Sequence, residues 1–178
     1  RKTSLQFIQQ EMNNITALSN ETCQLGIQSR NMVFYIAKKD SPQPIRLMSS
    51  VGKQLPLYCT GLGRALLAYK SEEEIRSLFP EVLTAYTPHT IATINDLLKE
   101  LELTRQRGYA VEHEETNLMV NCIAVSLDYN NAPIAALSIS IPTFRISESK
   151  EKEAVQILWK AKQRIETHFK MYGVDFGN

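Results

Sequence analysis

The chain is 178 residues long, 43% hydrophobic and 22% charged, which suits one soluble globular domain that buries its own core without disulfides or metal. Its 20 Lys and Arg against 19 Asp and Glu leave a net charge of +1, which excludes the strong basic excess of a dedicated polyanion-binding surface. No apolar run approaches the roughly 18 residues of a membrane span, and Arg1 and Lys2 lead into polar, Gln-rich sequence rather than a signal peptide. Cys23, Cys59 and Cys122 are far apart, odd in number and form no C-x-x-C. This is the pattern of reduced thiols in a cytoplasmic protein, not of a disulfide frame or zinc site.

Leu5, Ile8, Met12, Ile15 and Leu18 recur at spacings of three and four, which predicts a helix over residues 4–19 with Ser4 as its N-cap. Cys23, Leu25 and Ile27 then alternate with Thr22, Gln24 and Gln28, a strand pattern. A turn at Ser29-Arg30-Asn31 leads into a second strand from Met32 to Ala37. The prolines of Asp40-Ser41-Pro42-Gln43-Pro44 make a loop, Ile45 to Met48 reads as a short third strand, and Gly52 to Pro56 as irregular. Gly61-Leu62-Gly63 opens an apolar helical run. Ser71 followed by three glutamates starts another helix, which stops at Pro80. Thr93 can cap a helix carrying Leu97, Leu98 and Leu101 and ended by Gly108.

Beyond it, Tyr109 to Val111 is extended. Val120 to Leu127 and Ile134 to Ile141 are the strongest strands, joined by a turn at 128–131, and Pro142 ends the second. Ser147 or Ser149 begins a long final helix with acids early and bases late, its buried stripe being Ala154, Ile157, Leu158, Ala161 and Ile165. Strands interrupted by helices, with hairpin-length turns, indicate an α+β domain around a mainly antiparallel sheet, with the two terminal helices together on one face.

Three groups of residues could carry chemistry. Gly61-Leu62-Gly63-Arg64 sits between an extended segment and a helix, where free amides can seat a carboxylate or phosphate. The plain alternative is a tight turn in which Gly63 permits close helix packing. Around residues 112–115, Cys122 could be a nucleophile with His113 as base, but a thiol within Val-Asn-Cys-Ile-Ala-Val is more commonly a small buried hydrophobe. A metal set joining His113 with Glu112, Glu115 or His89 lacks the H-E-x-x-H spacing, so the acidic run reads as a solvated loop and neither metal nor cofactor is expected. Ser138 and Ser140 share one face of their strand and could line a pocket or an outer, solvated surface.

Taken together, Leu55 to Ala68, Tyr86-Thr87-Pro88-His89-Thr90-Ile91, Arg107-Gly108-Tyr109-Ala110, Glu115, Asn121 to Val125 and Ala136 to Pro142 resemble, in order, the C-terminal effector-binding domain of the IclR family of bacterial transcription regulators. Gly108, Glu115 and Cys122 fit the family spacing. Glu112 stands where the family has Asp or Ser, and Asp128-Tyr129 suggests a turn one residue shorter.

The resemblance implies a GAF-like α+β domain over residues 1–178. A winged helix-turn-helix DNA-binding domain is expected upstream of Arg1, and the chain, which lacks an initial Met, reads as part of a longer protein. It further implies a repressor-type regulator, a homodimer or homotetramer, that binds operator DNA through the missing domain and a small effector here. Gly61 and Leu62 amides would hold the effector's carboxylate or carbonyl, Glu112, Cys122, Ser138 and Ser140 would supply polar contacts, and Val120 an apolar wall. The expected effector is a short oxo-, hydroxy- or sugar acid with a hydroxyl end toward Glu112. The competing readings are a cysteine-dependent hydrolase using Cys122 and His113, and a ligand-independent structural oligomerisation domain.

Overall fold

The computed structural model describes residues 2–46 and 50–176. The elements run α1 (Ser4–Ser19), β1 (Thr22–Ser29), β2 (Met32–Lys39), β3 (Gln54–Pro56), α2 (Gly61–Leu67), α3 (Glu72–Leu78), α4 (Ile94–Arg107), β4 (Ala110–His113), β5 (Val120–Tyr129), β6 (Ala132–Pro142) and α5 (Glu148–Tyr172). Among the described residues the strands form one sheet in the order β3-β2-β1-β6-β5-β4, every neighbouring pair antiparallel. This is the expected α+β class.

The strands alternate, so each face has its own core. Cys23, Leu25, Ile123, Val125, Leu137, Ile139 and Ile141 point toward α1 and α5, meeting Ile8, Met12, Ile15, Leu158, Ile165 and Phe169. The two terminal helices do share this face, and Arg164 Nε donates to Glu11 Oε1 across them at 2.9 Å. The other face carries small residues, Ala110, Ala124 and Ala136, which let α2 lie close to the sheet with α4 outside it. The sheet thus separates two apolar layers, one under α1 and α5 and one under α2 and α4.

Several local expectations needed correction. Thr3, not Ser4, caps α1: its hydroxyl accepts the Gln6 N–H at 3.1 Å while Gln6 Oε1 accepts the Thr3 N–H at 3.0 Å. Glutamine three residues on closes that reciprocal box, which moves the cap back by one. Ser4 instead ties the chain ends together, accepting the Asp175 N–H at 2.8 Å.

Of the strand expected over Ile45 to Met48, Ile45 and Arg46 are irregular, and the rest lies outside the described residues. The third strand is Gln54–Pro56, pairing Met32 with Pro56 and Phe34 with Gln54. At the sheet edge Pro56 needs no ladder donor on its outer side, so its presence does not preclude a strand. The β5–β6 connection is tighter than expected. Only Asn130 and Asn131 lie outside the strands, both at positive φ (52° and 64°), the geometry of a two-residue hairpin loop.

Candidate functional site

The hollow is built where α2 meets the sheet. Thr60 caps α2, accepting the Gly63 N–H at 3.0 Å and donating to Pro56 O at 2.9 Å. The first intrahelical bond runs from Arg64 N to Thr60 O, so the Gly61 and Leu62 amides have no carbonyl four residues back to bond. Glycine is required here by space. A Cβ at Gly63 would stand 2.0 Å from Leu57 O, and one at Gly61 would stand 3.1 Å from Cys122 Cβ. The close-packing reading of this motif therefore holds, and the same closeness presents the helix start to the sheet.

Beneath it lies a row of polar side chains from four strands. Glu112 pairs with Cys122, Cys122 with Ser140, and Ser138 with Gln24. Ser138 and Ser140 are 0% and 2% exposed, so they form a buried floor rather than a solvated face. Both hydroxyls donate to Gln24 Oε1, at 2.9 and 2.7 Å, and Cys122 Sγ lies 3.2 Å from Ser140 Oγ. Buried polar groups are retained only where they find partners, and these do so mutually.

All seven residues singled out from the sequence, Gly61, Leu62, Glu112, Val120, Cys122, Ser138 and Ser140, line one hollow of about 100 Å³. Gln24, Tyr35, Lys53, Leu55, Thr60, Thr116 and Asn117 complete it. Gln24 was legible as a polar position in an otherwise apolar alternation. Lys53 was not: its place depends on the Tyr35 N–H donating to Lys53 O at 3.1 Å and Gly52 N–H to Tyr35 O at 2.8 Å, pairings distant in sequence. That arrangement sets the Lys53 ammonium 4.7 Å from the Tyr35 ring centre. A wider depression beside the β5–β6 turn, about 660 Å³, has its acids Asp128 and Glu166 engaged by Lys162 at 3.1 and 2.8 Å.

A buried ion pair holds the frame. Arg64, 1% exposed, donates from Nε to Tyr58 O (3.0 Å), from Nη1 to Val111 O (2.9 Å) and from Nη2 to Glu115 Oε1 (2.5 Å). Glu115 Oε1 also accepts the Ile91 N–H at 2.9 Å, and the Glu115 N–H donates to Glu112 Oε2 at 2.7 Å. Thr90 and Thr87 donate to the Glu115 and Glu114 carbonyls at 2.6 and 2.5 Å. The Thr-Pro-His-Thr loop thus clamps the β4–β5 connection onto α2.

The acidic run is not a solvated loop: Glu112 lies on β4 and is 1% exposed. Burial pushes its carboxyl up to about 7, although the Glu115 N–H and Arg64 pull the other way. Burial pushes the Cys122 thiol far above its ordinary range, and Glu112 adds to this. It also pushes Tyr35 up and Lys53 down.

The Cys122–His113 reading fails on geometry. Strand alternation puts His113 on the opposite face from Glu112 and its partner Cys122. There its Nδ1 lies 3.1 Å from Asn121 Oδ1 and its Nε2 3.5 Å from Glu151 Oε1. The same alternation separates His113 from Glu112 as joint metal ligands, and among the described residues no group of three or more His, Cys, Asp or Glu is placed to hold a metal.

The sequence model of the family described as "Bacterial transcriptional regulator IclR C-terminal" matches residues 5–167. The chain is 38% identical over 157 residues to the HTH-type transcriptional regulator KdgR of Dickeya chrysanthemi, covering 87% of this chain and 52% of that protein. It is 36% identical over 141 residues to the HTH-type transcriptional repressor AllR of Escherichia coli K12, covering 78% and 52%. Among solved structures, the C-terminal domain of the E. coli transcriptional regulator KdgR superposes with a TM-score of 0.83 at 32% identity, covering 92% of this chain and 96% of that one. The chain spans about half the length of the curated relatives it matches.

Proposed function

The chain belongs to the IclR family of bacterial transcriptional regulators, as their C-terminal domain, and from that premise we propose that it senses a short hydroxy-, oxo- or sugar acid and couples that binding to operator DNA. The relatives are regulators, not enzymes. The observation that carries the reading is the polar floor of buried Gln24, Ser138, Ser140 and Glu112 with half-buried Cys122, facing the start of α2 across an open volume. A few convergent polar groups within walls such as Leu55, Leu62 and Val120 are the usual make-up of a small-molecule site. A purely structural domain would fill that space with side chains, and here it stands open.

In this reading the Gly61 and Leu62 amides take the acid group, and the serines and Glu112 take hydroxyls. A winged helix-turn-helix domain of the full regulator contacts the operator, and the assembly is a homodimer or homotetramer in the cytoplasm. The effector acts by binding one arrangement of the assembly better than another, since only differential affinity shifts an equilibrium. Among the described residues no helix is long and apolar enough to cross a membrane.

Thermal-shift and calorimetric titration with lactate, glycerate, gluconate and 2-oxobutanoate tests the reading. At one hundred times its dissociation constant a true effector raises stability by about 2.7 kcal/mol. Ser138→Val and Ser140→Val are expected to weaken it. If none of a broad panel of small acids stabilises the domain, and operator binding by the full regulator responds to none, the sensing proposal is wrong.

A further inference from the structure

The ionisable groups around the hollow fall into two kinds. Arg64 of α2 and Glu115 of the β4–β5 loop face each other at 2.5 Å, both buried, and cancel. Tyr35 of β2, Cys59 ahead of α2 and Cys122 of β5 are all pushed upward by burial, so they stay neutral around pH 7. His113 is turned to the other face of the sheet. The groups left to set the charge of the cavity are Lys53, beside the Tyr35 ring, and Glu112 in the floor.

With Glu112 ionised, these two sum to zero, and an entering carboxylate makes two negative groups share one ammonium in a water-poor volume of about 100 Å³. With Glu112 protonated, the cavity presents one positive charge, which a single carboxylate neutralises. A protonated Glu112 also changes from acceptor only to donor, and can bond an effector oxygen that the ionised form repels.

Resting on the effector-sensing reading above, we propose that the hollow selects singly charged carboxylates through Lys53 and takes up one proton at Glu112 when such an anion binds. The carboxyl of the free protein is poised for this. At about 7 it is roughly half ionised at neutral pH, so binding completes a protonation that is already under way. A dicarboxylate leaves one charge uncompensated, and a neutral sugar leaves Lys53 without a counter-ion.

The test is calorimetry on the whole chain with lactate, glycerate, gluconate and 2-oxobutanoate, and with malate as dicarboxylate, between pH 6 and 8.5, where the monocarboxylic acids are fully ionised and malate is mainly the dianion. The dissociation constant of a binding monocarboxylate is expected to rise about thirtyfold from pH 6 to pH 8.5. At pH 8, titrations in phosphate and Tris buffers should give an uptake close to one proton per acid bound. Lys53→Met should weaken the monocarboxylate at every pH, and Glu112→Gln should flatten the pH dependence. A binder whose affinity ignores pH and which takes up no proton overturns the coupling but leaves effector sensing intact. Malate binding as well as the monocarboxylates overturns the charge selection. No binding of any acid at any pH removes both the coupling and the sensing reading. The proton count uses the unmodified protein, so it decides the matter even if a variant misfolds.

Discussion

Replacing Arg64 with Met removes the charge that joins α2 to the β4–β5 loop while keeping an apolar side chain of similar reach. The guanidinium donates from each of its three nitrogens, to the Tyr58 and Val111 carbonyls and the Glu115 carboxylate at 3.0, 2.9 and 2.5 Å. In the variant the Glu115 side chain, 8% exposed, keeps only the Ile91 N–H as a bonded partner for its Oε1. Removing one member of a buried pair strands the other charge and costs about 3–5 kcal/mol. A domain holds only about 5–15 kcal/mol of stability in all, so R64M should lose a large part of it. Urea unfolding at pH 7 followed by circular dichroism reads the loss. Adding Glu115→Gln removes the stranded charge, so the double variant should lose less than the sum of the singles, with a coupling of about 1 kcal/mol or more. A loss below about 1 kcal/mol for R64M, or simple additivity, would refute the claim that this pair holds the frame of the site.

Glu112 links folding to pH. Its native carboxyl lies at about 7 against an ordinary 4.5, so between these values the folded state binds more protons than the unfolded. Its contribution is fully present below the lower value and is lost as pH rises through the upper one, a change of about 3 kcal/mol. Urea melts at pH 4.5 and 7.5 should therefore show a steeper fall for the unmodified chain than for Glu112→Gln, and identical falls would count against burial as the cause. Gly63→Ala puts a methyl group against the Leu57 backbone, a contact of 2.0 Å that no side-chain rotation relieves. A loss of at least about 1–3 kcal/mol is expected in thermal melts, whereas a neutral outcome would mean that α2 is free to shift. The Cys122 thiol, half-buried and pushed well above its usual range by desolvation and the neighbouring Glu112, should react slowly with a thiol-directed reagent at neutral pH in the folded protein and quickly in urea. Rapid labelling of the folded chain would revive a nucleophilic role.

Most helices were readable because their signals are local. Ser71 with Glu74, Thr93 with Gly108, and Ser147 ahead of early acids place the ends of α3, α4 and α5 within a turn or less of sequence. The strongest strands, β5 and β6, were readable from their apolar runs, and the shared face of Ser138 and Ser140 followed from a period of two. The misreading of β3 had a different origin. Gln54-Leu55-Pro56 has little strand character alone and becomes one by lying against Met32 to Phe34.

By itself, then, the chain determined most of the helices, the central strands and which residues could face a pocket, because periodicity and capping act over a few neighbouring residues. Its order of motifs also pointed to all seven residues that meet in the hollow. Only the tertiary structure decided that Gln24 bonds both serines, that Lys53 lines the hollow beside Tyr35 and that His113 turns away from Cys122. The first depends on β1–β6 register between segments more than a hundred residues apart, the second on Lys53 pairing back to Tyr35, and the third on the register of β4 against β5. Tertiary packing also decided the protonation of Glu112, since what raises an acid is the water excluded by distant neighbours rather than the residues beside it in the chain.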